Sequence, residues 1–99
     1  MVKLEFLVKD PAGLLPEAAG KLVKEAISCT SKVQIRKGEK SGDAKLIFHV
    51  LSLSAKAGDR LELLLEGERE QEEAERLKEF IGTMFTQVKP KETSKPLEQ

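Results

Sequence analysis

The sequence predicts an α+β sandwich in which helices cover one face of an antiparallel sheet. Three observations carry that prediction. Val2, Leu4, Phe6 and Val8 alternate with Lys3, Glu5 and Lys9, and Leu61, Leu63 and Leu65 recur at the same spacing with Arg60, Glu62 and Glu66 as polar partners, which is the period of a strand with one buried face. Ala19, Leu22, Val23, Ala26 and Ile27 recur at helical spacing, and Ala74, Leu77, Ile81 and Met84 form a second such stripe. Turn chemistry, Asp10-Pro11-Ala12-Gly13 and Ala57-Gly58-Asp59, separates the periodic segments.

In chain order, the first strand runs through Val8. Leu7 breaks its alternation, so that end of the strand is expected to be covered on both faces. Pro16 and Glu17 open the first helix. A proline there gives up an N–H that had no partner, and a carboxylate suits the positive end of the helix dipole. After the polar exit Ser28–Ser31, Val33 and Ile35 alternate with Lys32, Gln34 and Arg36. Lys37-Gly38-Glu39-Lys40 reads as a hairpin into a short strand around Ser41–Ala44. Leu46 to Leu53 is nearly all apolar, broken by His49 and Ser52, and its periodicity does not distinguish a buried strand from a short helix.

The strand at Leu61–Leu65 stops at Gly67. The final helix follows from Glu68, with Phe80 and Phe85 beside its apolar stripe. Glu68, Glu70, Glu72, Glu73 and Glu75 crowd its start and read as a solvated helix end. Past Thr86 no apolar period remains, which divides the chain into a folded domain over 1–85 and a flexible tail over 86–99.

The 99 residues include 17 basic and 17 acidic side chains, for a formal net charge of +0. That balance argues against a nucleic-acid binder. No apolar run approaches the roughly 20 residues of a membrane span, and the N-terminus lacks a signal-peptide pattern. One cysteine excludes an internal disulfide and suits a reducing compartment, so a cytoplasmic location is expected. Cys29 reads as a small buried hydrophobe, and His49, the one histidine, as a side chain without chemistry. Neither has the companions of a metal site or a nucleophile, so no metal, cofactor or catalytic residue is expected.

An ordered set of short segments carries a resemblance. They are Met1-Val2-Lys3, Gly13-Leu14, Lys21-Leu22-Val23-Lys24, Ala44-Lys45, Val50-Leu51-Ser52-Leu53, Gly58-Asp59 and Glu66-Gly67-Glu68. Over about residues 1–85 the chain resembles the HPr family, the histidine-containing phosphocarriers of the bacterial sugar phosphotransferase system. The resemblance implies an open-faced β-sandwich: a four-stranded antiparallel sheet of order 1-4-2-3 with three helices on one face. It makes Leu46–Leu53 the short second helix.

It also implies where chemistry belongs. HPr-like proteins place the phosphate-accepting histidine directly after the Gly-Leu pair and an arginine two positions later. Here those positions are Leu15 and Glu17, and Pro16 between them lacks an N–H. Leucine has no nucleophilic atom, and Glu17 reverses the charge that would hold a phosphoryl dianion. The regulatory serine found in some members matches Leu46, another residue that cannot accept phosphate.

What the resemblance leaves is a docking surface, Leu14, Leu15, Leu46, Ile47, Phe48 and Leu51. Its expected partners are proteins of the phosphotransferase system or transcriptional regulators, or a second copy of the chain, with neither nucleic acid nor membrane involved. The expected function is thus a non-enzymatic, protein-binding or regulatory module. The alternative is a phosphocarrier with a relocated acceptor such as His49.

Overall fold

A computed structural model describes residues 1–84 and 86–88. The elements are β1 (Val2–Leu7), α1 (Pro16–Ile27), β2 (Lys32–Lys37), β3 (Lys40–Asp43), α2 (Ile47–Ser52), β4 (Arg60–Glu66), α3 (Glu70–Met84) and β5 (Thr86–Val88). The strands form one antiparallel sheet ordered β3-β2-β4-β1-β5, which contains the expected 1-4-2-3 arrangement. The hydrophobic alternation sets the register. Leu4 lies opposite Leu63, Phe6 opposite Leu61 and Ile35 opposite Leu63 across the neighbouring ladder, so all point to one face.

That face is the core. Phe6, Leu22, Ile35, Leu53, Leu61, Leu63, Leu65, Leu77 and Ile81 are fully buried. α1 contributes Ala19, Leu22, Val23 and Ala26, α2 contributes Val50, and α3 contributes Ala74, Leu77 and Ile81. Ile27, counted with the apolar stripe of α1, is instead exposed: it is the last helical residue, where the stripe has turned off the core.

Two expectations need correction. Thr86–Val88, assigned to a flexible tail, pair with β1 as β5, Thr86 opposite Leu7 and Val88 opposite Glu5. A three-residue strand held by main-chain bonds to a free edge needs no side-chain period, so nothing in the pattern announces it. The rest of the expected tail, 89–99, and Phe85 lie outside the described residues.

The second correction concerns the acidic start of α3. Glu73 is buried and accepts four hydrogen bonds: from Thr30 N (2.8 Å) and Oγ1 (2.9 Å) through Oε2, and from Ser31 N (2.9 Å) and Oγ (2.6 Å) through Oε1. Burial pushes this carboxyl up, but the Ser31 and Thr30 donors outweigh it and hold it down at about 2. Glu70 reaches the Met1 ammonium at 2.7 Å, which draws its carboxyl down as well. The helix start is therefore a clamp on the α1–β2 connection and on the amino terminus.

Candidate docking surface and the helix N-termini

The loop between β1 and α1 is strapped to the loop before β4. Val8 N donates to Asp59 O (3.0 Å), Gly58 N to Val8 O (2.8 Å) and Leu14 N to Ala55 O (3.1 Å). Gly13 has φ +87°, and a Cβ there would lie 2.7 Å from the Ala55 carbonyl, so backbone conformation and close approach both require glycine. Asp59 anchors the far side. Its Oδ2 accepts from Lys56 N (2.8 Å) and Lys37 Nζ (3.3 Å), and these donors lower its carboxyl.

This scaffold delivers Leu15 to the N-cap of α1 in an extended conformation, followed by Pro16. Leu15 offers no side-chain cap, although Ser, Thr, Asp and Asn are the favoured residues there. Its side chain is 43% exposed, and Glu17 is exposed in the first turn. The helix end that would cradle an anion thus carries an apolar cap, a proline and a carboxylate.

α2 repeats the same anomaly. Leu46 is its N-cap, again extended, again without a side-chain cap, and 48% exposed. Lys45 Nζ donates to Cys29 O (2.9 Å), tying the turn before α2 to the end of α1, while Asp43 O accepts from Leu46 N (3.0 Å). His49 compensates in part for the missing cap. Its Nδ1 accepts the Asp43 backbone N–H at 3.0 Å, a third-position side chain reaching back past the helix start as in a capping box. The neutral ring accordingly carries its hydrogen on Nε2. Gly42 makes room for this, since a Cβ there would fall 2.8 Å from His49 Cβ. No sequence signal revealed that tether, because Gly42 and His49 meet only when α2 folds back on β3.

The six residues expected to form the surface divide into two groups. Leu15, Leu46 and Phe48 are exposed, Phe48 by 80%. Leu14, Ile47 and Leu51 are partly buried and pack against the core, so the accessible apolar patch is narrower than expected. Among the described residues, Ile27 (59%) and Met1 (66%) are the other large exposed hydrophobics, and neither was anticipated as such.

Cys29 is buried, its thiol donating weakly to Glu25 O (3.6 Å), and burial foremost pushes that thiol up. Among the described residues no group of three or more His, Cys, Asp or Glu is placed to hold a metal ion. Nor is any helix there long and apolar enough to cross a membrane. The helix-free face of the sheet carries a shallow cleft of about 360 Å³ between Arg36, Gly38, Arg60 and Glu62. Glu62 in that cleft bonds Arg36 Nε (2.9 Å) and Nη2 (2.7 Å). Its partial burial, which raises the carboxyl, is outweighed by Arg36 and Lys3, which lower it.

Fold and loop together define a small phosphocarrier-type sandwich. Residues 2–83 match the family pattern described as the PTS HPr component phosphorylation site, and the chain belongs to the HPr family. It is 34% identical over 80 residues to the phosphocarrier protein HPr of Lysinibacillus sphaericus, covering 81% of this chain and 91% of that one. A Mycoplasma histidine-containing phosphocarrier protein superposes with a TM-score of 0.78 at 28% identity, covering 87% of this chain and 99% of that one. Crh of Bacillus subtilis, the catabolite repression protein whose crystal structure is a swapped dimer, superposes with a TM-score of 0.65 at 34% identity, covering 81% and 92%. This chain is thus a phosphotransferase-related protein of the HPr type.

Proposed function

We propose that this chain is an HPr-family module that does not carry phosphate and acts by binding: it occupies a protein partner that recognises HPr-type surfaces. One observation carries the reading. Leucines stand at the N-caps of both α1 and α2, where capping residues would stabilise each helix, and both are exposed, as is Phe48. Each exchange costs helix stability, removes a position that in relatives accepts phosphate, and adds apolar surface.

The expected partner is a component of the phosphotransferase system, or a transcriptional regulator that reads HPr relatives, in the cytoplasm. The swapped dimer of Crh adds a second copy of the chain as an expected partner. His49 as a relocated acceptor is less well supported. Its Nδ1 is committed to the Asp43 amide.

The test uses Enzyme I, phosphoenolpyruvate and an ordinary HPr. This chain should take up no phosphate yet inhibit phosphorylation of the HPr competitively, and Phe48→Asp should abolish the inhibition. Phosphate incorporation into the chain overturns the reading, as does an absence of competition.

A further inference from the structure

The helix-free face of the sheet gathers side chains that the docking surface does not use. Arg36 on β2 lies directly opposite Glu62 on β4, so the two share that face, and Arg60, two residues before Glu62, stands on it as well. Lys3 joins from β1, its Nζ 3.7 Å from Glu62 Oε2. Glu5, opposite Glu62 on β1, is buried and already bonded. Three cations thus meet two carboxylates, an excess of one positive charge.

The donors are unevenly spent. Glu62 takes both Arg36 bonds, from Nε (2.9 Å) and Nη2 (2.7 Å), on the single oxygen Oε1, which leaves Nη1 over. Arg60 is exposed, and its guanidinium makes no hydrogen bond or ion pair among the described residues. Gly38 keeps the space next to them open, since a Cβ there would have no atom within 4 Å. Together Arg36, Gly38, Arg60 and Glu62 line the cleft of about 360 Å³. That volume falls within the roughly 300–1,000 Å³ of small-molecule sites and is more than a bare ion fills.

We propose that this cleft binds a small phosphate monoester, its phosphoryl group held between Arg60 and the spare Nη1 of Arg36, with the organic part lying over Gly38. The Arg60 fork alone would satisfy the two oxygens of a carboxylate. A phosphoryl group presents a third terminal oxygen, which a second guanidinium on the neighbouring strand can meet. Glu62 stays paired with Arg36 and so holds that guanidinium in place without opposing the anion at full charge. The cleft lies across the sheet from α1 and α2, so it can fill independently of the leucine patch.

The experiment titrates the full chain with glycerol phosphate, and separately with inorganic phosphate, at an ionic strength of about 0.15 M. Backbone amide and arginine Nε–H signals are followed by nuclear magnetic resonance. The Gly38 amide and the Arg36 and Arg60 Nε–H signals should move together, giving a dissociation constant of about 1 mM or below for the ester and a higher one for phosphate. Arg60→Gln should weaken ester binding by roughly tenfold or more. Lys32→Gln, which removes an exposed cation of the same face outside the cleft, should leave it unchanged. The proposal is overturned if those signals stay still, if shifts scatter over the surface, or if Arg60→Gln has no effect. It is equally overturned if Lys32→Gln does as much damage as Arg60→Gln, which would mean diffuse charge attraction, or if phosphate binds as tightly as the ester.

Discussion

A single oxygen of Glu73 holds Ser31 by two groups at once: Oε1 accepts the Ser31 amide at 2.9 Å and the Ser31 hydroxyl at 2.6 Å. The other oxygen does the same for Thr30. A carboxylate buried with four donors around it is satisfied only while ionised, so α3 is latched to the start of β2 by a charge.

That latch makes stability depend on acid. The Glu73 carboxyl falls from an ordinary 4.5 to about 2 on folding, so the unfolded chain binds the proton more readily. The stabilisation is complete above about pH 4.5 and is lost as pH falls towards 2, amounting to about 3 kcal/mol. Urea titrations at pH 7, 4 and 2.5 should show this loss. Glu73→Gln should flatten that part of the profile and lower stability at pH 7 by roughly 2–3 kcal/mol, because it leaves buried donors poorly matched.

The two leucine caps predict a trade between stability and binding. Leu15→Ser and Leu46→Ser should each raise stability by about 1 kcal/mol, by supplying an oxygen to the uncapped amides of α1 and α2. Both should weaken competition with HPr for Enzyme I. Thermal unfolding and the competition assay, run on the same preparations, check the two halves separately. A serine that stabilises and leaves competition intact would place the docking surface elsewhere.

Ser54 follows the C-cap of α2 with φ +52°, the left-handed conformation that glycine adopts most easily at a helix end. Its carbonyl is held by Lys37 Nζ at 3.2 Å, so the conformation is imposed from outside. Ser54→Gly should therefore stabilise the chain by roughly 0.5–1 kcal/mol. A rise in the urea midpoint with an unchanged slope is the expected reading.

Gly42 and His49 form a contact with no slack. Gly42→Ala would bring its Cβ to 2.8 Å from His49 Cβ and should cost roughly 1–3 kcal/mol. The clash lies at Cβ, so His49→Ala in the same chain should not relieve it, whereas His49→Gly should. By itself His49→Ala should cost roughly 1 kcal/mol, because the Asp43 amide loses its acceptor, and exchange of that amide should accelerate. A double-mutant cycle checks all three statements.

Much of this architecture is legible in local patterns. Alternation in Val2–Val8 and Leu61–Leu65 marks two strands because one face of each is core and the other is not, and the stripe of α1 marks its helix for the same reason. Leu46–Leu53 resists that treatment. A six-residue helix shows barely two turns of period, and here it leaves Phe48 in solvent, so burial does not sort its residues. Only the family resemblance identifies it.

Glu73 and β5 are illegible for a different reason. Their partners, Ser31 and Leu7, lie some distance along the chain, and the bonds run to polar or main-chain groups that leave no hydrophobic period. Leu15 and Leu46 are the reverse case. Their identity and the positions they match are plain in the sequence, and the structure adds that each sits at a helix cap.

The Gly13–Ala55 contact bears on how tightly the patch can be recognised. The loop carrying Leu15 is bolted to its neighbour through the Leu14–Ala55 and Val8–Asp59 bonds, and Gly13 leaves no slack between them. The apolar side chain it presents is therefore already in place before any encounter. Association there forfeits little conformational freedom on this side, so even a small contact area can yield a measurable affinity.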